Sequence, residues 1–167
     1  SIYEGGVRVC AFANAPGRIP AGQVIDEPVH GVDWYPTLIR QAGGSLDQKL
    51  PLDGRDVWSV LTEKAKSPHD MLVLHSTRPG RAAIRMGEWK LLLGASHRDA
   101  EEGAGQASGA RGVALYNLST DVGELHNLAA EQPERVKELQ ARLSGALKNA
   151  VPPGSGAAPA PRKAKGK

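Results

Sequence analysis

The segment at residues 7–13, Val-Arg-Val-Cys-Ala-Phe-Ala, constrains the fold more than any other stretch of the chain. Alternate positions place valine and alanine on one face of an extended strand and Cys10 and Phe12 on the other, so that only Arg8 is polar. Strands that are apolar on both faces are typical of the middle of a parallel sheet with helices on either side. We therefore predict a covered strand here, with a buried Cys10 that acts as a small hydrophobic residue.

A strand of this kind needs neighbouring strands on both edges, and the chain offers few candidates. Its 167 residues are enough for one ordinary domain but not for two full-sized ones. The chain begins at Ser1, without an initiator methionine and without an apolar leader. A cleaved leader would leave such a start, but the isolated strand favours truncation. We therefore expect residues 1–66 to be the end of a larger α/β domain whose other strands lie upstream.

Three helices are predicted from turn residues and apolar spacing. Asp33 is placed as the N-cap of the first helix, which ends at Gly43. A second, short helix begins near Asp56. Pro133 opens the third and longest helix, whose apolar residues recur on one face at helical spacing. These residues are Val136, Leu139, Leu143 and Leu147.

Four short apolar runs predict a small antiparallel sheet, with a hairpin turn at Gly87-Glu88. The predicted strands span residues 71–75, 82–86, 89–93 and 113–118. Together with the helix after Pro133, they predict a small α+β subdomain over residues 67–150. The stretch 94–112 is rich in Gly, Ala and Ser, and we expect it to be an exposed or disordered insertion.

The net charge of +3 belongs to the tail rather than to the body of the chain. Four of the 21 basic residues lie at the very end, so residues 1–150 carry 17 basic and 18 acidic side chains. Residues 151–167 contain no apolar side chain larger than valine and are expected to be a disordered basic tail. Its basic residues are Arg162, Lys163, Lys165 and Lys167. The charge therefore does not by itself indicate an anion-binding fold.

Several classes of function leave no trace in the sequence. No apolar run approaches the length of a membrane span. A single cysteine excludes an internal disulfide and a multi-cysteine zinc site, and five scattered histidines show no metal-ligand spacing. A phosphate-binding loop is also excluded, because the glycines of Glu4-Gly5-Gly6 precede a predicted strand and lack the Lys-Ser/Thr that would follow.

Two loops carry residues that could contact a ligand. Paired glycines in Glu4-Gly5-Gly6 indicate either close backbone approach to a ligand at a strand end or only a tight turn. His75, Arg78 and Arg81 cluster around Pro79-Gly80, and arginines in a loop suit bidentate recognition of sulfate or carboxylate. For this second group the residues alone favour an ordinary solvated loop. Residue chemistry thus indicates an anion-friendly loop without naming a reaction.

Six short motifs occur in order along most of the chain. They are Tyr3-Glu4-Gly5-Gly6-Val7-Arg8-Val9, Ala15-Pro16-Gly17-x-Ile19, Asp33-Trp34-Tyr35-Pro36-Thr37-Leu38-Ile39 with Ala42-Gly43, Leu52-Asp53-Gly54 with Leu61, Arg85-x-Gly87-x-Trp89-Lys90-Leu91, and Leu115-Tyr116-Asn117-Leu118-x-x-Asp121-x-x-Glu124-x-x-Asn127-Leu128. Each is moderately specific alone, but their shared order is a strong signal. Together they resemble the C-terminal portion of the formylglycine-dependent sulfatases, most closely the arylsulfatase B (N-acetylgalactosamine-4-sulfatase) type.

The resemblance implies an alkaline-phosphatase-like α/β domain followed by a small α+β domain with an antiparallel sheet and a C-terminal helix. It implies hydrolysis of sulfate esters of aryl or sugar substrates. The nucleophile is a hydrated formylglycine made from Cys or Ser in a C/S-x-P-x-R motif, and calcium stabilises the developing charge. Such enzymes are usually exported, so we expect a periplasmic or secreted protein.

The chain departs from the family pattern where the chemistry would be. Cys10 is followed by Ala-Phe-Ala-Asn and is therefore not the formylglycine precursor. The calcium-binding aspartates and the sulfate-contacting lysine of the family fall upstream of the aligned region. We therefore expect no catalytic residue, no bound metal and no activity in this chain alone. Its predicted contribution is to the walls of the substrate site, through Glu4, Gly5, Gly6, His75, Arg78 and Arg81.

Two other readings stay open at this point. The chain could be a polyanion-binding module that uses the basic tail, although four charges on a flexible segment predict weak, salt-sensitive binding. No motif for specific nucleic-acid recognition accompanies that tail. The chain could also be a non-catalytic accessory protein descended from a sulfatase.

Overall fold

The computed structural model of the chain describes residues 1–76, 80–95 and 112–148. Its centre is an antiparallel sheet of four strands in the order β1-β2-β3-β4. The strands are β1 (Leu72–His75), β2 (Ala82–Met86), β3 (Trp89–Leu93) and β4 (Val113–Asn117). The helices are α1 (Glu4–Val7), α2 (Trp34–Gln41), α3 (Trp58–Glu63) and α4 (Pro133–Lys148), with a 3-10 turn at Gly31–Asp33. The four predicted strands are confirmed.

The β2–β3 hairpin forms where the sequence predicts it. Met86 pairs with Trp89, and Gly87 between them has a φ of 57°, in the left-handed region that tight hairpin turns require. Arg85 then lies opposite Lys90 in the ladder, and Lys90 lies opposite Tyr116 of β4. Because side chains alternate along a strand, these three residues share one face of the sheet.

Helix α4 covers the other face of the sheet. Ile84, Leu91 and Leu115 come from three neighbouring strands and pack together with Leu139 and Leu143 of the helix. All five side chains are almost completely buried. The predicted apolar stripe is therefore confirmed as the helix side of this core layer.

The first residues of the chain pack on the face that α4 leaves uncovered. Ile2 is buried in a cluster with Ala83, Leu92 and Ala114, and Tyr116 belongs to the same cluster. Two residues further on, at Glu4, the chain enters α1. Apolar burial of Ile2 thus brings the start of α1 to this face of the sheet.

Asp33 stands at the N-cap position of α2, as predicted, but its side chain caps no N–H of that helix. His30 is the N-cap of the preceding 3-10 turn, and the Asp33 carboxylate accepts a hydrogen bond from the His30 backbone N–H at 2.6 Å. The carboxylate reaches back one turn, as in a capping box. Gly43 ends the helix region with a φ of 74°, and Asp56 accepts from the Trp58 N–H at the start of α3, both as predicted.

The predicted strand at residues 7–13 is wrong. Helix α1 runs to Val7, and the following residues have no strand partner among the residues that the structure describes. Val9 and Phe12 are 78% and 93% exposed, and Cys10 is exposed rather than buried. A strand that is apolar on both faces becomes buried only between neighbouring strands and helices, and the described sheet is built entirely from strands beyond residue 71.

Some predictions fall on residues outside the described ranges. These are Arg78, most of the predicted insertion at 94–112 and the tail at 151–167. Within the described ranges, no helix is both long and apolar enough to cross a membrane.

Candidate functional site

A lysine on β3 forms the centre of the candidate site. The side chain of Lys90 is 0% exposed and lies between two buried carboxylates. Its Nζ atom is 2.8 Å from Oε1 of Glu4 and 2.9 Å from Oε1 of Glu124. A buried ammonium of this kind needs such partners, because its charge is costly to remove from water. We call Glu4, Lys90 and Glu124 the buried charge cluster.

Each member of the buried charge cluster reaches it from a different part of the chain. Lys90 points from the sheet face opposite α4, and Glu4 is the first residue of α1. Glu124 lies in the turn after β4, where Asp121 accepts hydrogen bonds from the backbone N–H groups of Leu125 and His126. The Glu4 backbone N–H also donates to Oε2 of Glu124 at 2.5 Å. The cluster therefore joins the N-terminal segment to the start of β3 and to the turn after β4.

Burial decides the electrostatics of the cluster. It raises the pKa of Glu124 above its ordinary value, an effect that the hydrogen bond from Lys90 opposes. Burial likewise raises the pKa of the neighbouring Tyr116, with further contributions from Tyr3 and Glu124. These surroundings favour a neutral phenol at Tyr116 throughout the physiological range.

Two arginines stand at the solvent edge of the cluster. The guanidinium groups of Arg8 and Arg85 are each 3.9 Å from Oε2 of Glu4. Arg8 is largely exposed, while the side chain of Arg85 is 20% exposed and its Nε donates to the Gly87 carbonyl. Since the cluster holds two carboxylates and one ammonium, these two cations offset its excess of negative charge.

A cleft of about 500 Å³ opens beside this edge. Glu4, Arg8 and Arg85 line it together with Glu27 and His30. Lys66 and the Ser67 backbone N–H donate to Glu27 and lower its pKa. Both basic and acidic side chains line the cleft, so it suits a polar ligand that both donates and accepts hydrogen bonds.

A second polar centre shapes the loops next to the cleft. Asp33 is fully buried, and both of its carboxylate oxygens are 2.9 Å from Nε2 of His69. Its Oδ1 also accepts from the Arg55 backbone N–H at 2.9 Å. At Gly54 a Cβ would lie 2.1 Å from the Val32 carbonyl oxygen, so only glycine fits there. The motif residues Asp33 and Gly54 thus hold the fold of these loops.

The three residues of the Glu4-Gly5-Gly6 motif have different surroundings. Glu4 is buried in the charge cluster, whereas Gly5 is exposed, with open space where its Cβ would be. At Gly6 a Cβ would lie 2.6 Å from Cβ of Ser1 and 2.9 Å from its carbonyl oxygen. The turn is therefore closely packed at Gly6 and open at Gly5.

The loop after β1 lies apart from that turn. His75 is exposed and pairs with Ala82, whose side chain belongs to the α4 side of the sheet, while Glu4 lies on the opposite side. The backbone carbonyl of Arg81 accepts from the Ser76 N–H at 3.2 Å, and the Arg81 side chain is partly buried. Arg78 falls outside the described residues. The described geometry thus does not bring His75 and Glu4 together.

Sequence reasoning missed Lys90 and Glu124 as site residues and named them only as members of two of the six motifs. A signal was present, because Lys90 interrupts the apolar run Trp89 to Leu93 on a strand that is otherwise core. A lysine in that position has to find a buried acid. The sequence does not indicate which acid, since Glu4 lies 86 positions away.

The calcium site implied by the resemblance does not fit the described residues. Calcium takes six to eight oxygen ligands, many of them from carboxylates. In the described part of the chain, no three Asp, Glu, His or Cys side chains are grouped to hold a metal ion. Glu4 and Glu124 are already paired with Lys90. No catalytic step through a metal can therefore be assigned to these residues.

The chain is similar to curated proteins over most of its length. It is 32% identical to mouse arylsulfatase J over 188 aligned positions, which cover 91% of this chain and 31% of that protein. It is 34% identical to human arylsulfatase A over 156 positions, covering 84% of this chain and 30% of that protein. The chain thus spans about a third of the length of these relatives. No family model matches it.

A solved structure gives a similar result. The chain superposes on Ps i-CgsB with a TM-score of 0.62 and 25% identity, over 78% of this chain and 27% of that one. That protein has also been solved in complex with k-i-k-neocarrahexaose. The putative sulfatase yidJ from Bacteroides fragilis superposes with a TM-score of 0.58 at 16% identity, which is a likeness of fold.

Proposed function

Because the chain belongs to the sulfatase family, of which it represents a C-terminal region, we propose that it forms part of an enzyme that hydrolyses sulfate esters. The observation that carries this proposal is the similarity to mouse arylsulfatase J over 91% of the chain. The nucleophile and the metal are assigned to residues outside this chain. In such an enzyme a hydrated formylglycine and calcium would supply nucleophilic attack on sulfur and charge stabilisation.

We further propose that the chain contributes to two domains of that enzyme. Residues 1–66 would complete the alkaline-phosphatase-like α/β domain, and residues 67–150 would form the small C-terminal subdomain. The exposed side chains of Val9, Phe12 and Val24 support this arrangement, since large apolar groups are normally covered in a complete domain. The sheet and α4 already cover each other in the second unit.

The residues of this chain would act on the substrate by binding rather than by bond chemistry. The turn Glu4-Gly5-Gly6 would form one wall of the substrate site, beside the cleft that Glu4 lines. The loop that carries His75, Arg78 and Arg81 would reach the substrate from another side. Arginine suits this task because its guanidinium donates two parallel hydrogen bonds to a sulfate group.

The substrate class is a sulfated aryl compound or a sulfated sugar. The names of the relatives support the first, and the oligosaccharide bound to Ps i-CgsB supports testing the second. We expect the enzyme to be periplasmic or secreted, in keeping with its family. An analysis of the coding sequence upstream of Ser1 for a leader and a C/S-x-P-x-R motif tests the location and the chemistry together.

The direct test is the activity of the full-length protein that carries this chain. Release of inorganic sulfate is measured with 4-nitrophenyl sulfate and with a panel of sulfated saccharides. We expect turnover by the full-length protein and none by residues 1–167 alone. The proposal is wrong if full-length protein with formylglycine verified by mass spectrometry releases no sulfate. Turnover by residues 1–167 alone would refute the placing of the chemistry outside the chain.

The proposed role of the arginine loop has its own test in the full-length enzyme. Replacing Arg78 and Arg81 by alanine removes charge-assisted hydrogen bonds to sulfate, so we expect kcat/KM to fall by about tenfold or more. The matched control is Arg142→Ala on the exposed side of α4, which should leave kcat/KM unchanged. An unchanged kcat/KM in the loop variant would remove this loop from the substrate site.

A further inference from the structure

Three separate sequence motifs meet in the buried charge cluster. Glu4 comes from the Tyr-Glu-Gly-Gly motif, Lys90 from the Trp-Lys hairpin and Glu124 from the Asp-x-x-Glu turn. None of these motifs is adjacent to another in the chain, and the contacts span 86 and 120 positions. Their convergence is a property of the folded molecule that the motifs by themselves do not indicate.

Stability alone is a weak reason for such a cluster. Lys90 is 0% exposed, yet it stands among core residues where an apolar side chain of similar size would pack without any desolvation cost. Replacing buried ion pairs by apolar residues often leaves stability unchanged or improves it. The best attested use of a buried polar contact is to specify one arrangement among several. The question is therefore what the cluster holds in place.

The contacts of the cluster converge on Glu4. The Glu4 carboxylate accepts from Lys90 at 2.8 Å, and its backbone N–H donates to Glu124 at 2.5 Å. Lys90 and Glu124 are joined to each other at 2.9 Å, which closes a ring. Both the main chain and the side chain of one residue are therefore held, so that α1 is fixed in position and in orientation relative to the sheet.

Helix α1 does not hold itself in place. It has only four residues, and a helix this short is unstable without tertiary contacts. In the described structure, residues 8–13 form no strand and pair with none, so the turn is anchored from its N-terminal side. The anchors are the apolar contacts of Ile2 and the buried charge cluster.

We propose that Lys90 is a positioning residue, which holds the Glu4-Gly5-Gly6 turn against the C-terminal sheet so that this turn keeps its place in the substrate site. The inference rests on the proposed function, because the turn matters only where a substrate binds beside it. By this inference the C-terminal sheet contributes to catalysis indirectly, because it holds in place a turn that forms one wall of the substrate site.

The test uses the full-length enzyme with Lys90→Met, which keeps an unbranched side chain, one atom shorter, and removes its charge. We expect KM for the sulfated substrate to rise by about tenfold, with kcat changing by less than about threefold, since the bond chemistry lies outside this chain. Lys90→Arg keeps the charge and should restore KM at least in part. Hydrogen exchange in the same proteins should show faster exchange at Gly6, Val7 and Arg8 in Lys90→Met, with α4 unchanged.

Two further variants separate positioning from loss of stability. Leu139→Ala removes a buried side chain on the opposite face of the sheet, so it should lower the melting temperature and leave KM unchanged. Glu124→Gln keeps the shape of the side chain and its acceptor for the Glu4 N–H. It serves as the milder variant if Lys90→Met does not fold, with a smaller rise in KM expected.

The outcomes are distinct. The inference is overturned if Lys90→Met and Leu139→Ala change KM equally, or if the amides of the turn exchange as in the parent. If the parent full-length enzyme, with its formylglycine verified, releases no sulfate, the proposed function fails, and hydrogen exchange still decides whether Lys90 holds the turn. Faster exchange confined to the turn supports the anchoring, and unchanged exchange refutes it.

Discussion

At the scale of single residues, Glu124 combines an unusual backbone with a buried side chain. Its φ of 55° lies in the left-handed region, which costs a residue other than glycine about 1–2 kcal/mol. The side chain offsets this cost through its contacts with Lys90 and with the Glu4 N–H. A glycine here would relieve the backbone and lose both contacts, so the side chain is the reason for a glutamate at this position.

The raised pKa of Glu124 predicts how pH changes the stability of the fold. A carboxyl group whose pKa is raised by folding binds its proton more tightly in the folded state. Its contribution to stability is therefore complete below pH 4.5, the ordinary pKa of the group, and is lost as the pH rises through the pKa of the folded state. Glutamine does not titrate. We therefore expect the free energy of unfolding of the parent, minus that of Glu124→Gln, to fall as the pH rises above 4.5. Urea denaturation at each pH measures it, and a difference that grows with pH contradicts the expectation.

Site residues could be predicted from the sequence where neighbouring residues mark them, but their partners far along the chain could not. Glu4 was singled out from its two following glycines, but its partners on β3 and after β4 were not. The pairing of Glu4 with Lys90 depends on which sheet face the N-terminal segment covers, and that is decided by burial of Ile2 against Ala83 and Leu92. No spacing in the sequence contains that information.

At the scale of elements, the predictions succeeded where a segment finds its partners nearby. The β2–β3 hairpin and α4 have patterns that local turns and one apolar stripe explain. Residues 7–13 have an equally clear pattern, but a strand apolar on both faces takes its structure from strands and helices that surround it. An apolar pattern therefore predicts structure well only when the segments that would cover it are close in the sequence.

The connection from β4 to α4 shows how one side chain can hold two elements. Oδ1 of Asn127 accepts from the backbone N–H groups of Leu115 and Ala129, both at 3.0 Å. The Leu128 N–H donates to the Leu115 carbonyl at 2.8 Å. These bonds fasten the returning chain to the free edge of β4, so that α4 begins directly over the sheet.

Helix α4 also allows a test of element stability. Gly145 lies within the helix, with no atom near the place of its Cβ, so Gly145→Ala should raise the free energy of unfolding by about 1 kcal/mol. The matched control is Ala141→Gly one turn earlier, which should lower it by a similar amount. Urea denaturation of both variants measures the effect. Destabilisation by Gly145→Ala would mean that the helix end packs differently from the structure.

At the scale of the whole molecule, the two parts of the chain differ in how well they cover themselves. The sheet and α4 bury a continuous apolar layer. Around residues 11–29 the chain instead surrounds an open cavity of about 1090 Å³ with exposed apolar side chains, among them Phe12 and Val24. This contrast supports assigning the first part to a larger domain, which is the arrangement we propose.

Deletion of the basic tail tests whether the chain acts as part of an enzyme or as a polyanion-binding module. Deleting residues 151–167 removes the four charges that end the chain, so retention on heparin should weaken and lose much of its salt dependence. Sulfate release by the full-length enzyme should stay within about twofold of the parent, because the tail carries no residue of the proposed site. Heparin chromatography and the sulfate assay measure the two effects. Loss of sulfate release on deletion would favour the tail as a functional element.

Because Cys10 is exposed, the reactivity of its thiol can report whether the segment around it is covered. It is the only cysteine of the chain, and it lies between the exposed side chains of Val9 and Phe12. A maleimide reagent should therefore modify residues 1–167 at one site and at the rate of a free thiol. If the proposed larger domain covers this segment, the same thiol should react far more slowly in the full-length protein. The rate of labelling in the full-length protein then measures how often the segment around Cys10 becomes exposed to solvent.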